Sequence, residues 1–127
     1  MNLARIGSGL AIHGGVGTLP PDRMDEETAA AYHQDLADSL RSGHEALEAG
    51  GTAIDAVEAA VRVMEDSPLF NAGRGSNFDE RGVVTMDASI MDGSTLDAGA
   101  VAGIEGVRSA IGLARLVMER SRSEEHT

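Results

Sequence analysis

Pro68-Leu69-Phe70-Asn71-Ala72-Gly73-Arg74-Gly75 is where this chain changes character. Before it, apolar residues repeat at helical spacing; after it, they alternate as in strands. An apolar Pro-Leu-Phe anchor, one amide side chain and two glycines suit a loop pinned to a core. Such a loop presents Asn71 to whatever lies beside it. Asn also satisfies its own backbone in turns, so the local sequence leaves a simple cap and a functional amide equally open.

Upstream, Asp25 to Glu48 reads as a long helix. Its acidic start suits the helix dipole, and Tyr32, Leu36, Leu40 and Leu47 fall on one stripe. Gly50-Gly51 is its stop. Thr52 then reads as an N-cap, with Asp55 placed three residues on as in a capping box. The second helix runs to about Asp66, where Pro68 prevents its continuation. Ile54, Val57, Val61 and Met64 form its apolar face; Asp55, Glu58, Arg62 and Glu65 form the other, with Glu58 and Arg62 spaced to pair. Before both helices, Gly9 to His13 reads as a short buried strand broken at Gly14-Gly15.

Downstream, Ser76 to Phe78 and Val83 to Met91 read as strands joined by a hairpin turn over Asp79 to Gly82. Alternation puts Val84, Met86, Ala88 and Ile90 on one face and Thr85, Asp87 and Ser89 on the other. Asp92-Gly93-Ser94 is a turn, and Ala98 to Ile104 a further strand of small residues. Ser109 caps a last helix with Leu113, Leu116 and Val117 inward. Hairpin-joined strands among helices give an α+β layered fold.

Composition narrows the function classes. The 127 residues fit one domain or less. The net charge of −11, with ten Arg and no Lys, excludes the basic face that a nucleic-acid binder needs. There is no Cys, hence no thiolate metal site, disulfide or Cys nucleophile. No apolar run approaches the roughly 20 residues of a membrane span, and Met1 to Leu10 lacks the apolar core of a signal peptide. The expected location is cytoplasmic.

Few residues stand out as chemistry. His13-Gly14-Gly15-Val16-Gly17 is glycine-rich after a strand, but it lacks phosphate-loop spacing, and Pro20-Pro21 blocks an immediate helix. A tight turn with positive φ is the better local reading. His13, His33, His44 and His126 are scattered and form no metal cluster. Asp87 and Asp92 flank Ser89; Asp92 reads as a turn residue, and Asp87 is open between sheet face and acid–base work.

Taken in order, these segments resemble the plant-type L-asparaginase and isoaspartyl peptidase family, within the N-terminal nucleophile hydrolases. The matching text is Ala11 to Gly17, Leu47 to Val57, Met64 to Gly73, Met86 to Gly93, Ala98 to Gly103 and Leu113 to Glu119. The match covers nearly all of Leu10 to Ser121, and ordered motifs at family-like spacing are more specific than any one of them.

The resemblance implies an αββα sandwich, of which residues 1–121 would be the α-subunit portion and N-terminal half. It implies a precursor that cleaves itself to free an N-terminal Thr. That Thr attacks the side-chain amide of L-asparagine or a β-aspartyl dipeptide, with its own amine as base. On the same basis Asn71 orients the nucleophile. Gly14 and Gly15 form a mobile His-Gly-Gly turn bordering the site. The backbone carbonyls of Met64, Glu65, Ser67, Phe70, Ala72 and Arg74 bind a structural sodium ion; no organic cofactor is implied. The partner would be its own β subunit, in an (αβ)2 assembly. The nucleophilic Thr falls beyond residue 127, so the chain alone is expected to be inactive and prone to aggregate. Residues 122–127 fit nothing in the family and read as a non-native tail; a stop codon after a genuine Thr127 codon in the locus would refute that. The alternatives are an amidase of the glycosylasparaginase type and a non-catalytic interaction domain of the same fold.

Overall fold

A computed structural model describes residues 7–15 and 20–121. Helix α1 spans Glu26–Glu48 and α2 spans Ala53–Asp66. Strands β1, Met86–Met91, and β2, Ala98–Ile104, form an antiparallel pair, and α3 follows at Ala110–Arg120. The fold is α+β.

Local chemistry sets the helix ends. Asp25 caps α1 by accepting from the Thr28 N–H at 2.7 Å. At the other end Gly50 turns with φ 86°. The Gly50 N–H donates to the Leu47 carbonyl and the Gly51 N–H to the Ala46 carbonyl, which is the Schellman closure. Thr52 and Asp55 complete a reciprocal capping box at the start of α2. Ser109 caps α3 by accepting from the Gly112 N–H.

With two Phe, one Tyr and no Trp, packing comes from backbones lying close together. On α1 the buried residues are Ser39 and Gly43, not the leucine stripe; Leu40 is 39 % exposed. Ser39 Oγ donates to the Ala60 carbonyl at 2.8 Å. A Cβ on Gly43 would lie 2.9 Å from the Ala56 carbonyl oxygen, so α1 and α2 touch through small residues.

The second contact is α3 on the sheet. Ile54 of α2, Ile90 of β1, and Ile111 and Ala114 of α3 form the buried cluster, with Val57, Val61, Ala88, Val101 and Met118 around it. A Cβ on Gly99 would collide with the Ala114 carbonyl and lie 2.5 Å from the Met118 nitrogen. The inward residues of α3 are thus Ala110, Ile111 and Ala114, whereas Leu116 is 43 % exposed. Small residues win the inner face because larger ones would hold the helix away.

The expected alternation holds in β1, where Met86 and Ile90 are buried and Asp87 and Ser89 exposed. Two expected strands do not form. Gly9 to His13 has no strand geometry, and Leu10 instead rests on Gly43. Ser76 to Phe78 is loop, with Phe78 75 % exposed, and pairing begins only at Met86. A strand needs a partner's backbone ladder, and among the described residues neither segment has one. The turn at Asp79 to Gly82 does form, closed by the Asp79 N–H to the Val83 carbonyl at 2.8 Å.

The carboxyls of Asp25 and Asp55 are held below their ordinary range. For Asp25 the chief cause is the Thr28 N–H; for Asp55 it is the Thr52 N–H, followed by Arg115. A carboxyl depressed in the fold stabilises it above its unfolded pKa and loses that contribution as pH falls toward the folded value. Asp55→Asn therefore lowers the unfolding midpoint at pH 7, and the difference closes as pH drops below about 4. A difference constant from pH 7 to 3 would contradict this. Gly99→Ala is expected to cost about 1–3 kcal/mol, read as a loss of midpoint in denaturant; an unchanged midpoint would mean α3 does not sit this close to β2.

Candidate functional site

The loop that ends α2 is held from three sides. Ser67, buried at the helix C-cap, donates its hydroxyl to Asp35 Oδ2 on α1 and accepts from the Leu69 N–H at 3.1 Å. Tyr32, also on α1, donates its hydroxyl to the Leu69 carbonyl at 2.8 Å. Both backbone polar groups of Leu69 are thereby satisfied. Phe70 follows with its ring buried (5 % exposed) and meets Tyr32 edge-on, centroids 5.6 Å apart at 86°.

Asn71 emerges from this anchor exposed to solvent. Its Oδ1 accepts from the Asn77 N–H at 2.9 Å, closing the loop across six residues. An N–H must be met by the amide oxygen, so this bond fixes which end of the amide is which. Nδ2 is the donor end of this exposed side chain.

Past Asn71 the chain makes a 3-10 turn, Gly73–Gly75. Gly73 has φ 52°, and a Cβ there would lie 2.8 Å from the Glu65 Cα and collide with the Glu65 carbonyl. A Cβ on Gly75 would collide with the Phe70 carbonyl and lie 2.8 Å from that of Pro68. Carbonyl oxygens are thus gathered around a turn that only glycine can follow. Met64, Glu65, Ser67, Phe70, Ala72 and Arg74 all belong to this one helix end and loop.

The His-Gly-Gly turn is brought to the same place. A Cβ on Gly14 would lie 3.0 Å from Cε1 of Phe70 and 3.2 Å from Cδ2 of Leu36. Gly15 takes φ 93°, and its N–H donates to His13 Nδ1 at 3.0 Å. This is the positive-φ turn that the local sequence favoured over a phosphate cradle; Val16 and Gly17 lie outside the described residues.

Other candidates fall away from this centre. Asp87 Oδ1 accepts from the Gly103 N–H at 2.7 Å. It closes a bulge where Met86 pairs with Ile104 but Ala88 with Val101. Asp92 accepts from the Ser94 hydroxyl and N–H, which hold its carboxyl below the ordinary range. Both are structural carboxylates of the hairpin. His33 is exposed, His44 faces Glu48 at 3.9 Å, and His126 lies outside the described residues. Among the described residues no three His, Cys, Asp or Glu side chains form a metal-holding group. An open cleft of about 780 Å³ between α2 and α3 is lined by Glu58, Arg115 and Glu119, which are already paired to one another.

Sequence reasoning overlooked Asp35, the hydroxyls of Tyr32 and Ser67 as anchors, and the burial of the Glu65 side chain. Glu65, read as part of a polar face, is 4 % exposed. Its carboxyl oxygens accept from the Ser109 hydroxyl at 2.7 Å and the Ile111 N–H at 2.9 Å, tying α2 to the start of α3. A signal for α1 was present: Tyr32, Asp35, Leu36, Ser39 and Gly43 share one helical face.

The asparaginase family pattern matches residues 6–125. An isoaspartyl peptidase of Salmonella typhimurium is 49% identical over 112 residues, covering 88% of this chain and 36% of that protein. An isoaspartyl peptidase/L-asparaginase of Danio rerio is 44% identical over 113 residues, 89% of this chain and 35% of that protein. A plant-type L-asparaginase of Pyrococcus furiosus is 48% identical over 112 residues, 88% of this chain and 35% of that protein. The chain spans about a third of the length of these curated relatives. Family pattern and relatives together establish that the chain belongs to the asparaginase family.

Proposed function

We propose that the chain is the N-terminal portion of a hydrolase acting on the side-chain amide of L-asparagine, on β-aspartyl dipeptides, or on both. The similar proteins are named for these two activities. The observation that carries the reading is Asn71, exposed on a loop fixed by Tyr32, Ser67 and Phe70, with the Gly14 turn against the same ring. In this reading the nucleophile is an N-terminal Thr released by autoproteolysis and supplied from outside these residues, within an αββα sandwich and an (αβ)2 assembly. The antiparallel hairpin with helices on one face is compatible with part of such a sandwich.

Asn71 has a definite task here. With Oδ1 held by the Asn77 N–H, Nδ2 is the group available to donate toward the attacking hydroxyl and hold its lone pair toward the substrate carbon. A fixed donor costs no reorganisation during reaction. Asn71→Asp isolates this role, because the carboxylate still accepts from Asn77 but cannot donate. In the product of the complete coding sequence, it is expected to lower kcat by about 100-fold and to leave stability within about 0.5 kcal/mol. The 127-residue chain alone is expected to turn over neither asparagine nor a β-aspartyl dipeptide. Turnover by that chain, or a complete product inactive on both substrates, would end this reading. A Gly-Thr-Val-Gly-like segment after a polar linker in the downstream DNA supports the enzyme over a non-catalytic domain.

We also propose that the carbonyls of Met64, Glu65, Ser67, Phe70, Ala72 and Arg74 hold a sodium ion. The fit is chemical: these are hard, neutral oxygen donors, and Gly73 and Gly75 let the Glu65 and Phe70 carbonyls close in where a Cβ would intrude. Bound there, the ion would stiffen the loop that carries Asn71. Binding to the folded state raises stability by about 2.7 kcal/mol at 100 times Kd. The unfolding midpoint should therefore rise in NaCl relative to choline chloride at equal ionic strength, and equal midpoints would remove the proposal. No helix among the described residues is long and apolar enough to cross a membrane, and we place the protein in the cytoplasm.

A further inference from the structure

The Phe70 ring has two neighbours of different origin. Gly14 lies over it, close enough that a Cβ would come within 3.0 Å of Cε1. Tyr32 meets it edge-on, with centroids 5.6 Å apart. The Tyr32 hydroxyl reaches past the ring to the Leu69 carbonyl, two residues before Asn71. One side chain of α1 thus holds the backbone that leads into Asn71 and, through the ring, the surface on which Gly14 rests.

We propose that Tyr32 is a positioning residue that sets Asn71 and the Gly14–Gly15 turn relative to one another. This rests on the reading that Asn71 and that turn border one site. The hydroxyl and the ring do separate work. The hydroxyl fixes the Leu69 carbonyl, while the Leu69 N–H is fixed by Ser67, itself bonded to Asp35. The ring edge fixes Phe70, and Phe70 fixes Gly14. A substitution that removes only the hydroxyl should loosen Asn71 and leave Gly14 in place. One that removes the ring as well should loosen both.

Two amides report the two arms. The Asn77 N–H donates to Asn71 Oδ1, and the Gly15 N–H donates to His13 Nδ1. Tyr32→Phe in the complete gene product is expected to speed exchange of the Asn77 amide with water by about tenfold. It should also shift the Asn71 side-chain NH2 resonance, with the Gly15 amide unchanged within about twofold. Tyr32→Leu is expected to speed both amides. The amides of α3 serve as reference, since the hydrogen bond and the ring contact of Tyr32 go to Leu69 and Phe70, outside that helix. An unchanged Asn77 amide in Tyr32→Phe overturns the proposal. So does a rise that includes α3 equally, because that describes general loosening. If Tyr32→Leu fails to fold, Tyr32→Phe alone decides. In the complete gene product, Tyr32→Phe should lower kcat several-fold, by about 3–10 times, with KM held; a change in KM alone would count against positioning. Since amide exchange needs no turnover, loss of the hydrolase reading would leave the exchange pattern standing, and loss of the pattern would leave the hydrolase reading standing.

Discussion

Burial of one aromatic ring organises the loop that carries the candidate site. The chain has two Phe and one Tyr. Phe78 is 75 % exposed and Tyr32 half-buried, which leaves Phe70 as the ring enclosed by the fold. Removing such a ring from water is worth about 1.5–3 kcal/mol, but its larger effect is geometric. A ring placed three residues after a helix C-cap draws α1, the end of α2 and the Gly14 segment to a common point. The hydrogen bonds from Tyr32 and Ser67 to Leu69 then have a fixed target. Without the ring, the peptide groups before Asn71 would have no reason to prefer α1 over water.

Elsewhere the same economy of side chains is met by closeness of backbones. Ser39 and Gly43 against Ala56 and Ala60, and Gly99 against Ala114 and Met118, bring main chains to within van der Waals contact. Dispersion between closely spaced atoms replaces the area that larger side chains would bury. The cost is intolerance, because a single methyl at Gly99 has nowhere to go. Polar groups complete the join. Arg115 meets Asp55, Glu58 and Glu119 at 2.8, 2.7 and 2.6 Å, and these carboxylates push its pKa above the usual arginine value. Glu65 caps α3 from α2.

Local signals were legible in the sequence and contacts between elements were not. Both helix starts, the Gly50-Gly51 stop, the Thr52–Asp55 box and the existence of β1 and β2 as strands follow from residues within a few positions of one another, whereas the hairpin partner expected for β1 at Ser76 to Phe78 does not form. The leucine stripe of α1 misled because periodicity ranks faces by large side chains, whereas this interface selects small ones. Gly9 to His13 misled because apolar runs look like strands whether or not a partner ladder exists. Glu65 looked solvated because its partners, Ser109 and Ile111, lie more than forty residues away. Asp87 stayed open for the same reason: its acceptor role depends on a bulge in β2 that a one-strand reading cannot see.

Asn71 shows why the choice between a structural cap and a functional amide was badly posed. The structure gives Asn71 the cap, since Oδ1 receives the Asn77 N–H. Yet an uncommitted amide on an exposed loop can flip, presenting a donor or an acceptor with little difference in energy. The cap removes that freedom, because a flipped amide would set two donors against each other. What remains is one donor of fixed polarity, on a backbone held two residues earlier at both the N–H and the C=O of Leu69. Electrostatic stabilisation of a reacting group depends on dipoles that are oriented beforehand. The bond that makes Asn71 look like an ordinary turn residue is therefore the bond that, in the proposed function, would make it useful to a nucleophile.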